Sequence, residues 1–222
     1  MPSRAHDVAP QRRPFAIFQL CPFLASVCLL AACAEPADLS ALRQEFPEAR
    51  LASLASAARD AAAALSGDAL PPLLGMEPGA SHGIGIRFSG ADGDRGCVSF
   101  WKDVKAPELA VAATAALAAR DPRYGDIARG EMAALRVEVN VYGEFRRIGS
   151  WREARPGIDT LMVVNADDPT LIQAGVALDE GWTASEYAEA VLRKAGLDPT
   201  RLDDDAKLGW RAAPTLRFVL RP

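Results

Sequence analysis

The sequence predicts an α+β fold, a mostly antiparallel sheet flanked by helices. Three observations carry that prediction. Residues 135–142 alternate strictly, with Leu135, Val137, Val139 and Val141 on one side and Arg136, Glu138, Asn140 and Tyr142 on the other. Such a strand has one face in a core and one in water. Residues 83–101 read as two strands joined by glycine-rich turn chemistry. Helical spacing recurs over 48–65, 107–120 and 183–195, yet strands and helices do not alternate in the regular way of a parallel sheet.

The chain opens with an export signal. Arg4, Arg12 and Arg13 make a basic start, and no charged residue follows between 15 and 32. Leu30-Ala31-Ala32-Cys33 then has the form of a bacterial lipobox. Small residues let a signal peptidase approach the backbone, and the Cys33 thiol takes the lipid, so this segment is set apart from the fold. The expected organisation is a signal peptide over 1–32, a lipidated tether over 33–47 and a folded domain over 48–222. An uncleaved membrane anchor is the competing reading, because an apolar run of 18 residues just spans a bilayer. Gln19 and Pro22 weaken it. Either way the rest of the chain is expected outside the cytoplasm, and in the lipoprotein reading it lies in the cell envelope, held to the membrane through Cys33. Ala34, rather than an Asp, favours outer-membrane sorting in a Gram-negative cell. Arg12-Arg13-Pro14-Phe15 carries part of a twin-arginine motif, which Ala16 and Ile17 leave incomplete.

Within the tether and beyond it the elements follow in order. Ser40 is a candidate cap for a short helical segment that Pro47 interrupts. Leu51, Leu54, Ala58, Ala62 and Leu65 recur at helical spacing, Gly67 closes that helix, and residues 71–79 are a Pro/Gly-rich loop. Ile84, Ile86 and Phe88 alternate in the first strand, 83–90, and residues 95–101 return as its partner. Pro107 opens an alanine-rich helix through Arg120. Residues 145–151 and 158–164 read as further strands, and 171–178 as a weaker one. Thr183-Ala184-Ser185-Glu186 is a capping box, with Gly196 ending the helix that it opens. Residues 216–220 form the last strand.

Composition excludes some functions. A net charge of −4 and 7% aromatic residues argue against a nucleic-acid footprint. Of four cysteines, Cys21 and Cys28 leave with the signal and Cys33 is acylated, so Cys97 is a single thiol, either buried and inert or reactive. One remaining histidine, His82, and one usable cysteine cannot supply a four-ligand zinc set. Asp203-Asp204-Asp205 lacks the spaced ligands of a calcium loop. No Walker or dinucleotide fingerprint is present, and Gly83-Ile84-Gly85 does not open a helix. No metal and no cofactor is expected.

The order of motifs resembles the AMMECR1 family. Its hallmark is a Leu-Arg-Gly-Cys-Ile-Gly hexapeptide after a Gly-rich strand, and here Asp94-Arg95-Gly96-Cys97-Val98-Ser99 follows 83–88. Asp121-Pro122-Arg123-Tyr124 fits the family's Asp-Pro-Arg-aromatic helix end, and Pro156-Gly157-Ile158-Asp159 its Pro-Gly turn. Gly181-Trp182-Thr183, Lys194-Ala195-Gly196-Leu197 and a strand around Phe218 complete a likeness over roughly 48–220. Ser99 and Asp94 depart from the hallmark, and Leu171-Ile172-Gln173-Ala174-Gly175-Val176 stands where the family has a Leu-Pro-Gln element. The resemblance implies an α+β fold, no settled activity, and company in some genomes with Memo-like and radical-SAM proteins. A lipobox is unusual for a family best known inside cells.

The hallmark supplies the candidate site. Arg95 and Cys97 stand at i and i+2, on one face of a regular strand. A guanidinium there favours the thiolate, so Cys97 is a candidate nucleophile, with His82 as a partner across the hairpin. Gly96 fits a close backbone approach, by a ligand or by packed neighbours. Asp121 and Arg123 are either a capping turn or a guanidinium aimed at an anion beside Cys97. Two functions follow: a small-ligand-binding or scaffold module, with a small anionic ligand held by Arg95, Gly96, Asp121 and Arg123, or an enzyme using Cys97, with His82, as nucleophile or redox-active thiol in an Arg-lined cleft. Without a positioned base, the binding module leads.

Overall fold

The computed structural model describes residues 35–65, 69–166, 168–203 and 208–222. The expected export signal, Cys33, Gly67 and the acidic pair Asp204 and Asp205 lie outside those residues. Among the described residues, no helix is long and apolar enough to cross a membrane.

The compact unit begins at Glu35, ahead of the expected boundary. Helix α1 (Ala37–Glu45) occupies the stretch read as a tether, and Pro47 separates it from α2 (Glu48–Ala63). Leu39, Leu42 and Phe46 are buried in the same core as Leu51, Leu54 and Ala58. The short helix expected before Pro47 is thus present, but it packs into the domain core and is not a tether. It starts after Pro36 without a side-chain cap, and not at Ser40.

Strands β1 (His82–Gly90) and β2 (Gly93–Val104) form the expected hairpin, and α3 (Pro107–Ala119) follows with Pro107 in its first turn. Next come β3 (Arg136–Tyr142), a two-residue β4 (Arg146–Arg147), β5 (Asp159–Asn165) and β6 (Asp168–Ile172). Helices α4 (Ala174–Asp179) and α5 (Ala184–Lys194) lead to β7 (Gly209–Leu220). The strand expected over 145–151 is mostly absent, because Ser150 and Glu153 form a capping box on a 3-10 turn. The stretch 171–178 divides between the end of β6 and α4.

All pairings are antiparallel, in the order β2-β1-β3-β7-β5-β6, with β4 on β7. β7 is the spine, pairing with β5 over 209–214 and with β3 over 215–220. It is longer than the expected 216–220, and Pro214 sits at the change of partner, where a residue without an N–H is tolerated. The sheet curls, so its two free edges, β2 and β6, line opposite sides of one cleft.

Ile84, Ile86, Phe88, Val137, Val139, Val141 and Leu216 fill one face beneath α2 and α3. Each such side chain contributes roughly 1.5–3 kcal/mol on burial. A second core joins Tyr187, Val191 and Leu192 of α5 to Leu161, Val163 and Trp210. The Tyr187 hydroxyl accepts from Leu161 N at 3.0 Å and donates to Ile172 O at 2.6 Å, tying α5 to β5 and β6. The expected capping box is present: Thr183 Oγ1 accepts from Glu186 N, and Glu186 accepts from Thr183 N at 2.8 Å.

The other face of β3 is not wet. Glu138, Asn140 and Tyr142 are all buried, because α4 and the residue before it lie over them. Gly175 permits that approach: a Cβ there would stand 2.7 Å from Glu138 Oε1 and from Arg217 Nε.

Candidate functional site

The cleft between the sheet edges has a volume of about 540 Å³. Cys97, Ser99 and Trp101 line it from β2, at the i, i+2, i+4 spacing that puts them on one face. Arg123 and Tyr124 join them from the turn after α3. Across the opening stand β6 from Pro169 to Ile172, then Gln173, Val176 of α4, and Lys194 at the end of α5.

Asp121 organises the near rim. Its Oδ2 accepts from Cys97 N at 3.0 Å, and its Oδ1 from the Arg123 backbone at 3.1 Å and from Arg123 Nε at 2.9 Å. Arg123 also donates to Cys97 O at 2.8 Å. The pair thus clamps both main-chain groups of Cys97. The Arg123 side chain remains half exposed over the cleft. Hydrogen bonding to Arg123 holds the Asp121 carboxyl down at about 2, with the Cys97 amide adding to the effect. Asp121-Pro122-Arg123 is therefore both a capping turn and a source of cleft charge.

The Cys97 thiol is free. Burial pushes it up to about 11, against the attraction of Lys194, Arg123 and Arg87. It is a neutral thiol at physiological pH.

Arg95 is not where regular strand geometry predicts. Phe88 pairs with Gly96 and Ser89 with Asp94, so Arg95 is the extra residue of a β-bulge. The bulge changes the parity of the strand. Asp94 faces the cleft with Cys97 and accepts from Arg87 Nε at 2.7 Å, while Arg95 reaches Glu131 at 3.2 Å outside it. Gly96 faces the helices: a Cβ would stand 1.8 Å from Ala118 O, so packing and not a ligand requires the glycine. His82 does not meet Cys97 either. It lies five residues from Arg87, the cross-strand neighbour of Cys97, hence roughly 16 Å along β1. Its Nε2 pairs with Glu45 at 3.0 Å and its ring stands edge-on to Phe46. Cys97 and His82 form no dyad.

Behind the rim runs a buried polar network. Arg87 bridges Asp94, Glu138 and Asp179, and Arg217 bridges Glu138 and Asp179. Asn140 donates to Glu138 at 3.0 Å and to Gln173 at 3.2 Å. Gln173 in turn donates to Ser99 and Tyr142, each at 3.1 Å, and those two hydroxyls lie 2.8 Å apart. Ser99, a departure from the hallmark, is thus absorbed into the floor. Gln173 shows that the segment in place of Leu-Pro-Gln keeps its leucine and glutamine.

Comparison with known proteins can be set beside this geometry. The family model for AMMECR1 matches residues 76–210, more than half of the chain. This chain belongs to the AMMECR1 family. A protein of Methanocella arvoryzae is 28% identical over 123 residues, covering 51% of this chain and 62% of that protein. A protein of Aeropyrum pernix is 32% identical over 130 residues, covering 55% of this chain and 56% of that one. The chain therefore spans less than two thirds of the length of these curated relatives. Among solved structures, an uncharacterised protein from Pyrococcus horikoshii superposes with a TM-score of 0.63 at 24% identity, over 79% of this chain and 91% of that one. That likeness concerns the fold.

Within this AMMECR1 domain, Cys97 and Arg123 line the cleft, Asp121 supports them, and Arg95, Gly96 and His82 stand apart. Sequence reasoning missed Lys194 and Arg87. Lys194 belongs to the Lys-Ala-Gly-Leu motif, and Arg87 is the lone charge of its strand; both were visible, but nothing in their spacing placed them beside Cys97. Lys194 is an exposed residue overall, but its ammonium is partly desolvated. Its ammonium reaches the cleft and donates to Leu171 O at 2.9 Å, with no carboxylate partner among the described residues. Burial lowers its pKa, with Cys97 acting against that effect. Chemically, the cleft offers cations, hydroxyl and amide donors, and apolar walls.

Proposed function

We propose that this chain is an envelope lipoprotein, anchored through Cys33, whose AMMECR1 domain binds an anionic ligand in the cleft. The observation that carries the ligand reading is the charge of the lining. Among the described residues, Arg87, Arg123 and Lys194 face the cleft against the one lining carboxylate of Asp94, and Lys194 has no acidic partner. A carboxylate or phosphate there would gain charge-assisted hydrogen bonds in a partly desolvated place. Calorimetric titration of the protein with inorganic phosphate and with acetate tests this. Saturable binding that Lys194→Met weakens about tenfold or more supports it, and no heat with either anion removes it.

The anchor is tested separately. Cys33→Ser should abolish incorporation of labelled palmitate and leave unprocessed precursor, and equal labelling of variant and parent would refute it. The alternative of a Cys97 nucleophile is disfavoured by a thiol held up near 11 and by a distant His82. Iodoacetamide should accordingly alkylate Cys97 more slowly at pH 7 than an unperturbed thiol of pKa about 8.5.

A further inference from the structure

The cleft lies between two strand edges, and that determines what shape of anion it suits. Asp121 and Arg123 take the Cys97 N–H and C=O, so both groups point away from β1. In an antiparallel ladder this orientation repeats every second residue. The register from Ile84 to Phe88 is unbroken, so the N–H and C=O of Ser99 point outward as well. No other described residue hydrogen-bonds to either. Further along, the edge is closed again: Asp103 N donates to Ala80 O at 3.1 Å, and Glu77 N donates to Asp103 O at 2.8 Å. The edge of β2 is thus covered at Cys97 and at Asp103 and open at Ser99, where it borders the cleft.

Exposed strand edges are normally blunted, and β6 is. Pro169 has no N–H, and Lys194 occupies Leu171 O. The open segment of β2 therefore presents main-chain groups toward a cleft whose opposite wall cannot use them.

We propose that an extended acidic peptide from a partner protein adds to the open edge of β2 at Ser99 and sets a carboxylate against Arg123 and Lys194. This rests on the anionic-ligand reading and names its ligand class. Main-chain pairing supplies affinity in such strand addition, and pockets for alternate side chains supply specificity. The cations lie at the Cys97 end, and Trp101 lies four residues on, roughly 13 Å away along the strand. Trp101, Leu171, Ile172 and Val176 form apolar wall. The occupant is thus a short extended segment with an acidic residue at one end and apolar side chains at alternate positions.

The experiment selects from random N-acetylated hexapeptides carrying a C-terminal Asp, using the full-length chain in detergent. The recovered peptides are resynthesised with N-methyl groups on alternate amides, and separately with Asn in place of Asp. Enrichment of alternating apolar residues is expected, with about a tenfold loss on N-methylation in the pairing register, the equivalent of one or two main-chain hydrogen bonds. The Asn peptide should lose affinity for the parent chain and little further for Lys194→Met, and the Ser99 amide should gain protection from hydrogen exchange. Binding of phosphate without peptide enrichment, or peptide affinity indifferent to N-methylation, overturns strand addition and leaves the anion cleft standing. Absence of both peptide and phosphate binding overturns both readings.

Discussion

The two faces of β3 are buried alike and held by different physics. Val137, Val139 and Val141 are fully buried on one side, and Glu138, Asn140 and Tyr142 are buried on the other. The apolar face is closed by transfer of hydrocarbon from water, a force without direction, which tolerates small changes in shape. The polar face is stable only while each charge and amide keeps its partners, since an unpaired buried charge is costly. The first face makes the domain compact. The second positions the cleft floor, because Glu138, Asn140 and Gln173 form a chain of hydrogen bonds ending at Ser99.

That contrast can be broken by mutation. Glu138→Ala should have the largest effect, about 3–5 kcal/mol in urea unfolding, because Arg87 and Arg217 would each lose a buried carboxylate. A cost below that of a core truncation would show that the network closes around Asp179 instead. Val139→Ala, one residue along and on the other face, should cost about 2 kcal/mol and leave anion binding in the cleft unchanged. A binding defect as large as that of Glu138→Ala would erase the distinction between the faces.

The rim gives a smaller, pH-dependent test. The Asp121 carboxyl is held at about 2, below its ordinary 3.8. Its stabilisation is therefore complete above the unfolded value and is lost as pH falls toward 2. Asp121→Asn should flatten the acid limb of the stability profile in that window, and an unchanged limb would mean that other carboxylates control acid unfolding. Smallest of all, Thr183→Ala should cost about 1 kcal/mol by removing a helix cap far from both faces of β3. An unchanged unfolding midpoint would show that tertiary packing alone holds the start of α5.

Much of the fold was legible because periodicity is a local signal. The β1–β2 hairpin, α2, α3, β3 and the capping box of α5 each carry their pattern within a dozen or so residues. The failures are local signals overruled at a distance. The alternation of β3 correctly separated its two sets of residues, but a polar set can face water or a buried network, and only the arrival of α4 decides. Likewise Arg95 and Cys97 share a face on any regular strand, and the bulge opposite Phe88 and Ser89 is what parts them.

By itself, the sequence determined the α+β class, the antiparallel hairpin and the family resemblance, and it singled out Cys97 and Arg123 as candidates. It also carries the Leu30-Ala31-Ala32-Cys33 pattern on which the proposed anchor rests. The tertiary structure alone decided that α1 belongs to the domain, that His82 serves α1 and not the thiol, and that Lys194 and Arg87 join Cys97. The physical reason is that patterns of period two or near four report which way a side chain points from its own element. They carry no information about which distant element will meet it. A curled sheet brings β2 and β6 together although 63 residues separate Val104 from Asp168, and the cleft exists only where those edges approach.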